Sequence, residues 1–258
     1  MGRSSGSRSD HSLLLWRRIC ARLSRHPTKD GRPSRPRGRG ARARAKVSSR
    51  VRTSFPAAID DAVHAYQWLL DRGGEPSKMI LAGDSAGGGL AVSTAIALRD
   101  RLLPMCTGIV ALCPWADLTC SGESMISRAA VDIECTRARL LEMARHYMNG
   151  ADPSQPLASP VFADLAGLPP LLCVVGGDEI LLDDSIRLVR NAGIAGIDAT
   201  LFIAAGMQHE FPIWAGAFPE ANAPRVLRRS GSNFRCPRRQ IRIANQSYGF
   251  SKWESFCE

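Results

Sequence analysis

A parallel-sheet α/β fold is predicted by three features of the sequence. Short apolar runs alternate with longer segments of helical periodicity, a Gly-x-Ser-x-Gly turn separates one such run from one such helix, and an acidic turn and a histidine turn follow two later runs. Composition agrees: 258 residues that are 45% hydrophobic and 22% charged, with 23 Gly and 16 Pro, suffice for one substantial core. Collagen, coiled-coil and wholly disordered chains are excluded.

The first segment stands outside this pattern. Residues 1–52 carry 16 Lys and Arg against 2 Asp and Glu, and from Ser24 to Arg52 they show neither an apolar helical face nor sustained alternation. Such a stretch cannot bury enough surface to offset its chain entropy, so disorder is expected there. Leu13 to Trp16 is too short and too Arg-flanked for a signal-peptide core, and no apolar run approaches the roughly 18 to 20 residues that cross a bilayer. A soluble, cytoplasmic chain is expected. The other end, residues 224–258, is also basic, with 8 Lys and Arg against 2 Asp and Glu, and it carries no assignable domain.

Charge separates these flanks from the body. Of 34 basic and 24 acidic residues, the flanks hold 24 and 4, which leaves residues 53–223 with 10 against 20, a net of −10 in a chain of net +10. The nucleic-acid reading that the overall charge invites therefore rests on Arg density in the flanks, where aromatic residues are nearly absent before Phe55.

Within the body the elements follow in order. Pro56 followed by Ile59, Ala62, Val63, Tyr66, Leu69 and Leu70 gives one apolar helical face, closed by Gly73 and Gly74. Met79 to Ala82 is a short buried strand, a Gly-rich turn follows, and Leu90 to Arg99 continues as helix. Gly108 to Cys113, Leu171 to Val175 and Thr200 to Ala204 are further strands, with a helix from Ile180 to Ala192 between the last two. Between Asp117 and Gln155 lies an insertion containing the helical stretch Thr136 to Met148.

Chemistry concentrates at Gly83-Asp84-Ser85-Ala86-Gly87. A serine on a sharp strand-to-helix turn is raised above the carboxyl edge of the sheet, and small neighbours are needed because Cβ atoms would collide. The helix that follows aims its first N–H groups at the site, so the Ala86 amide can stabilise an oxyanion. A phosphate-holding turn is the rival reading, but the G-x-G-x-x-G and G-K-[ST] patterns are absent. A nucleophilic serine also needs a base and an orienting acid near other strand ends. Leu171 to Val175 leads into Asp178, and Leu201 to Ile203 leads through Gly206, Met207 and Gln208 to His209. The order Ser85, Asp178, His209, with gaps of 93 and 31 residues, is that of α/β-hydrolases. Glu179, Asp183 and Asp184 are rival carboxylates, and Asp178 could instead cap the next helix. Of the other histidines, His64 and His146 lie in helical patterns and His11 and His26 in the basic flank.

From about Phe55 to Ala223 the chain resembles the hormone-sensitive-lipase-like branch of the α/β-hydrolases, the bacterial esterase and lactone-hydrolase group. The likeness is carried by Phe55 to Ala62, Gly83-Asp84-Ser85-Ala86-Gly87-Gly88, Ser159-Pro160 with Leu168-Pro169-Pro170, Gly177 to Asp184, and Met207-Gln208-His209. It implies Ser85 as nucleophile, Asp178 as orienting acid, His209 as base, and Asp84 as part of the frame around the serine. It also implies an HGGG-type loop with further oxyanion donors ahead of the nucleophile, and that loop and its flanking strands are missing. A slipped frame would explain the gap. With assumed codons, Trp16 to Cys20 read one base later gives Gly-Gly-Gly-Tyr, 69 residues before Ser85; the alternative is an accidental tail sequence. As written, the chain is expected to leave one edge of the Met79 to Ala82 strand bare or covered by tail, and to turn over esters weakly or not at all.

The resemblance makes residues 117–155 part of a cap, with Trp115, Met125, Ile126, Met143 and Met148 as candidate acyl-pocket residues, most of them expected to be plain core. Asp132 and Glu134 are expected to be solvated. The 8 cysteines include no C-x-x-C, so no metal and no cofactor is expected, and Cys113 and Cys173 are read as small buried hydrophobes. The expected function is hydrolysis of a small or medium acyl ester or lactone through an acyl-enzyme; a non-catalytic remnant and a tail-driven nucleic-acid binder are the alternatives. The partners expected are that substrate and, at most, a second copy of the chain.

Overall fold

The computed structural model describes residues 54–214, the backbone of residues 20–23 and 41–44, and Ala221. Six strands form one sheet: β1 (Cys20–Leu23), β2 (Ala41–Arg44), β3 (Ile80–Asp84), β4 (Gly108–Leu112), β5 (Leu171–Gly176) and β6 (Ala199–Ala204), in the order β2-β1-β3-β4-β5-β6. The strands from β3 to β6 are parallel, with Ile80 opposite Gly108, Ile109 opposite Leu171, and Leu171 opposite Ala199. Helices α1 (Ala57–Asp71), α2 (Ala86–Asp100), α3 (Ser124–Ser127), α4 (Arg137–Met148) and α5 (Leu182–Ile194) connect and cover them.

The first two strands depart from the sequence reading. β1 runs antiparallel to both β2 and β3, with Cys20 paired to Ala82, and β2 lies inside the stretch expected to be disordered. The edge of β3 is thus covered by chain from the basic segment. Nothing else before Ser54 is among the described residues, including Trp16 to Ile19. Strands at this edge need only backbone hydrogen bonds, which residue pattern does not encode.

Burial explains the other strands. Every residue of β3, β4 and β5 is buried, because helices or loops cover both faces. Alternation then sorts the side chains. Leu81, Ile109, Ala111, Leu171 and Cys173 join Ile59, Val63, Tyr66, Ile96 and Leu188 on one face, where α1, α2 and α5 pack. Ile80, Ala82, Val110, Leu112, Leu172 and Val174 meet Phe211 on the other. β6 is the far edge and is mostly half-buried, with Ile203 45% exposed.

The insertion builds a third cluster over the carboxyl end of the sheet. Trp115, Leu118, Met125, Leu140, Ala144 and Met148 pack with Ala86, Ile180 and Leu181. Trp115, Met125 and Met148 are therefore core, Met143 is partly buried, and Ile126 is 79% exposed. α4 starts where Thr136 Oγ1 accepts the Arg139 N–H at 3.4 Å and ends at Asn149, whose left-handed φ of 47° stops it.

Candidate active site

Ser85 follows β3 directly and adopts φ 54° and ψ −123°, a conformation L residues rarely occupy. Neighbouring bonds hold it there. Its N–H donates to the Leu112 carbonyl at 2.8 Å, and its own carbonyl accepts the N–H groups of Gly88 at 2.9 Å and Trp115 at 2.9 Å. Close approach at the turn requires glycine: a Cβ on Gly83 would lie 2.1 Å from the Gly87 carbonyl oxygen. α2 consequently begins at Ala86, earlier than its apolar periodicity suggested, and the Ala86 N–H is among the first-turn donors without an intrahelical acceptor.

Two loops bring the partners. His209 Nε2 lies 2.9 Å from Ser85 Oγ, and its Nδ1 lies 3.2 Å from Glu179 Oε1. Glu179 Oε2 accepts the Gly176 N–H at 2.9 Å. Ser85, Glu179 and His209 are all buried. The carboxylate behind the imidazole is thus Glu179, and Asp178 does not reach it. Asp178 donates its backbone N–H to the Met207 carbonyl at 3.0 Å, and its side chain, a third exposed, faces Arg128 at 4.0 Å. Adjacent residues of a tight turn point apart, and the turn after β5 turns Glu179 inward. It does not cap α5 with Asp178 either, since Leu181 occupies that position. The sequence reading made Asp178 the orienting acid and Glu179 only a rival, because spacing cannot separate neighbours one residue apart.

The other candidates are engaged elsewhere. Asp183 Oδ2 accepts the Ser124 N–H at 3.1 Å, and buried Asp184 Oδ2 accepts those of Ala116 at 2.7 Å and Asp117 at 2.9 Å. His64 is exposed and exposed His146 lies beside Glu142; His11 and His26 are outside the described residues. Asp132, expected to be solvated, instead accepts the N–H groups of Cys135 at 2.7 Å and Ile180 at 2.8 Å. Gln208 adds a second tie, accepting from Ile133 N–H at 3.0 Å and donating to the Val131 carbonyl at 2.9 Å. Residues 131–135 therefore strap the acid-bearing turn to the histidine turn.

Charge around the imidazole is unusually dense. Burial alone would push His209 down, but the Glu179 hydrogen bond and charge, with the charges of Glu210 and Glu134, raise it to about 9. Glu210 is raised to about 8 by burial and then by the charge of neighbouring Asp84. Asp84 is buried. Both shifts act on stability in one direction. His209 stabilises the folded chain fully below its ordinary value of 6.5, and that contribution is lost as pH rises through about 9. Glu210 keeps its proton when folded and releases it when unfolded above the ordinary 4.5, so stability also declines toward pH 8. The melting temperature is expected to fall steadily from about pH 5 to 9, with Glu210→Gln flattening the slope below about 8. A melting temperature that climbs over this interval contradicts the assignment.

Among the described residues, Cys113, Glu179 and His209 present donor atoms within 4.8 Å of one another, a set suited to a soft cation. Glu179 and His209 already face each other at 3.2 Å, and Cys113 is fully buried beside them. Cys113 itself packs in the apolar cluster around Phe211, the small buried hydrophobe expected of it.

Comparison with known proteins gives a consistent pattern. A family described as alpha/beta hydrolase fold matches residues 51–213. An acetyl-hydrolase of Streptomyces hygroscopicus is 46% identical over 166 residues, covering 64% of this chain and 56% of its own length. An esterase of Acinetobacter venetianus is 36% identical over 168 residues, covering 65% and 55%. Among solved structures, an esterase from the bacterial hormone-sensitive lipase family superposes with a TM-score of 0.64 at 46% identity, over 65% of this chain and 57% of that one. The chain spans a little over half the length of the relatives it matches. No described helix is long and apolar enough to cross a membrane.

Proposed function

Because the chain belongs to the alpha/beta hydrolase fold family, we propose that it is a serine carboxylic-ester hydrolase acting on small or medium acyl esters or lactones. One observation carries the reading: the Ser85 hydroxyl lies 2.9 Å from an imidazole whose far nitrogen faces a buried carboxylate at 3.2 Å. His209 takes the Ser85 proton as the oxygen attacks the carbonyl, and Glu179 holds the ring and offsets its charge. The Ala86 N–H supports the oxyanion. His209 then returns the proton to the leaving alcohol, and water resolves the acyl-enzyme by the same route. The free, mostly buried cysteines among the described residues suit a reducing, cytoplasmic setting.

A second reading, an impaired hydrolase, is favoured by one observation. Ala86 is the one oxyanion donor identified among the described residues, and the match covers 56% and 55% of the two relatives' own lengths. Each missing donor costs about 10² to 10³ in rate. A fluorophosphonate probe separates the two issues. Labelling of the full chain at Ser85, lost in Ser85→Ala, is the expected result; no labelling of the folded chain overturns the hydrolase reading. Turnover of p-nitrophenyl esters is expected at least about 10²-fold below that of a full-length relative. Equal turnover would overturn the impairment and leave the Ser85 assignment intact.

A further inference from the structure

We propose that Gln208 and Asp132 are positioning residues that act as one brace, holding His209 in register with Glu179 by way of the insertion. This deepens the hydrolase reading and rests on it for its kinetic consequence. Each tie ends one residue from a member of the pair. Gln208 precedes His209, and its amide grips both sides of residue 132: Oε1 accepts the Ile133 N–H at 3.0 Å, and Nε2 donates to the Val131 carbonyl at 2.9 Å. A side chain thus supplies the donor and acceptor that a neighbouring strand would offer. Asp132, the residue so gripped, reaches the other turn. Its Oδ2 accepts the N–H of Ile180, which follows Glu179, at 2.8 Å, while Oδ1 accepts those of Glu134 at 2.9 Å and Cys135 at 2.7 Å. The route from Gln208 to Ile180 therefore passes through a single residue.

The pair has little room for movement. His209 Nδ1 and Glu179 Oε1 lie 3.2 Å apart, at the long limit of the ordinary N–H···O range, so a small separation of the turns takes the contact beyond it. The same movement would carry Nε2 away from Ser85 Oγ, now at 2.9 Å. Neither residue belongs to a strand or a helix. Backbone bonds between the two turns run from Gly177 N–H to the Ala204 carbonyl at 2.8 Å and from Asp178 N–H to the Met207 carbonyl at 3.0 Å. They stop short of the pair. The brace acts on the next residues along, Ile180 and Gln208, and its Asp132 end is charge-assisted, three N–H groups converging on one carboxylate.

The test is a double-mutant cycle in the full chain. Gln208→Met keeps the side-chain length and the local charge but removes both amide contacts. Asp132→Asn leaves Oδ1 on Glu134 and Cys135 and turns an N–H₂ toward the Ile180 N–H, which cuts only that tie. Both positions are half-buried, so neither change empties the core. Each single variant is expected to lower kcat for a p-nitrophenyl ester by about three- to tenfold with KM within about twofold. Links in series fail together, so the double variant should be no more impaired than the worse single one; independent effects would multiply to about ten- to hundredfold. His209 ring C–H resonances followed against pH by NMR give a second readout that needs no turnover. Their midpoint, raised to about 9 by Glu179 with Glu210 and Glu134, should fall in both single variants, and Gln208→Met changes no charge, so its fall reports geometry. If the effects multiply, or Gln208→Met keeps the native kcat and midpoint, no brace acts between the turns. If Ser85 resists phosphonate labelling, the hydrolase reading fails, and the midpoints of the single and double variants still decide whether Gln208 and Asp132 act together on the Glu179–His209 pair.

Discussion

Glu179→Gln is expected to lower ester hydrolysis by about 10⁴-fold, whereas Asp178→Asn stays within about twofold. The contrast follows from one turn. Glu179 Oε1 faces His209 Nδ1 at 3.2 Å with no access to water, so its negative charge is what the developing imidazolium meets. An amide there keeps the shape but removes the charge, and its N–H₂ can present a donor to Nδ1, favouring the wrong tautomer. Asp178 points toward Arg128 near the surface, where removing a charge changes little. The measurement is kcat/KM for a p-nitrophenyl ester, with the rate of fluorophosphonate labelling as a second readout where turnover is slow. Reversed sensitivities would return the acid role to Asp178.

Gly83→Ala is expected to cost about 3 kcal/mol of stability or more and to abolish phosphonate labelling. The added Cβ would sit 2.1 Å from the Gly87 carbonyl oxygen and 2.3 Å from its carbon, both backbone atoms in the first turn of α2. Neither can yield without moving the helix. That helix start sets the Ser85 conformation through bonds from Gly88 and Trp115 to the Ser85 carbonyl. Urea unfolding measures the stability, and mass spectrometry of the labelled serine measures the site. A variant with native stability and labelling would mean that the turn tolerates a wider geometry than its backbone contacts allow.

How much of this could be read beforehand differs from element to element. α1, β4 and β5 are found within about a residue of the expected ranges, because each is an uninterrupted apolar signal. α2 was legible only from Leu90 onward, since Ala86 to Gly89 has poor helix propensity and forms helix because β3 and the loop at Trp115 demand close approach. β1 and β2 were not legible, because each is only four residues long with little apolar signal, and pairing to neighbouring strands defines them. Asp132 reads as a surface charge in sequence; its backbone partners at Cys135 and Ile180 come from a loop path that no periodicity encodes.

The sequence by itself determined the order and type of the βα units, the serine turn and the histidine loop, because those depend on local signals: periodicity, glycine at a crowded turn, and residues placed just past strand ends. Only the tertiary structure decided that Glu179 rather than Asp178 stands behind His209, and that Asp132 and Gln208 tie the loops around that pair together. Neighbouring residues share every local signal, and which of them faces inward depends on the direction the backbone takes after β5 and on the partners waiting there.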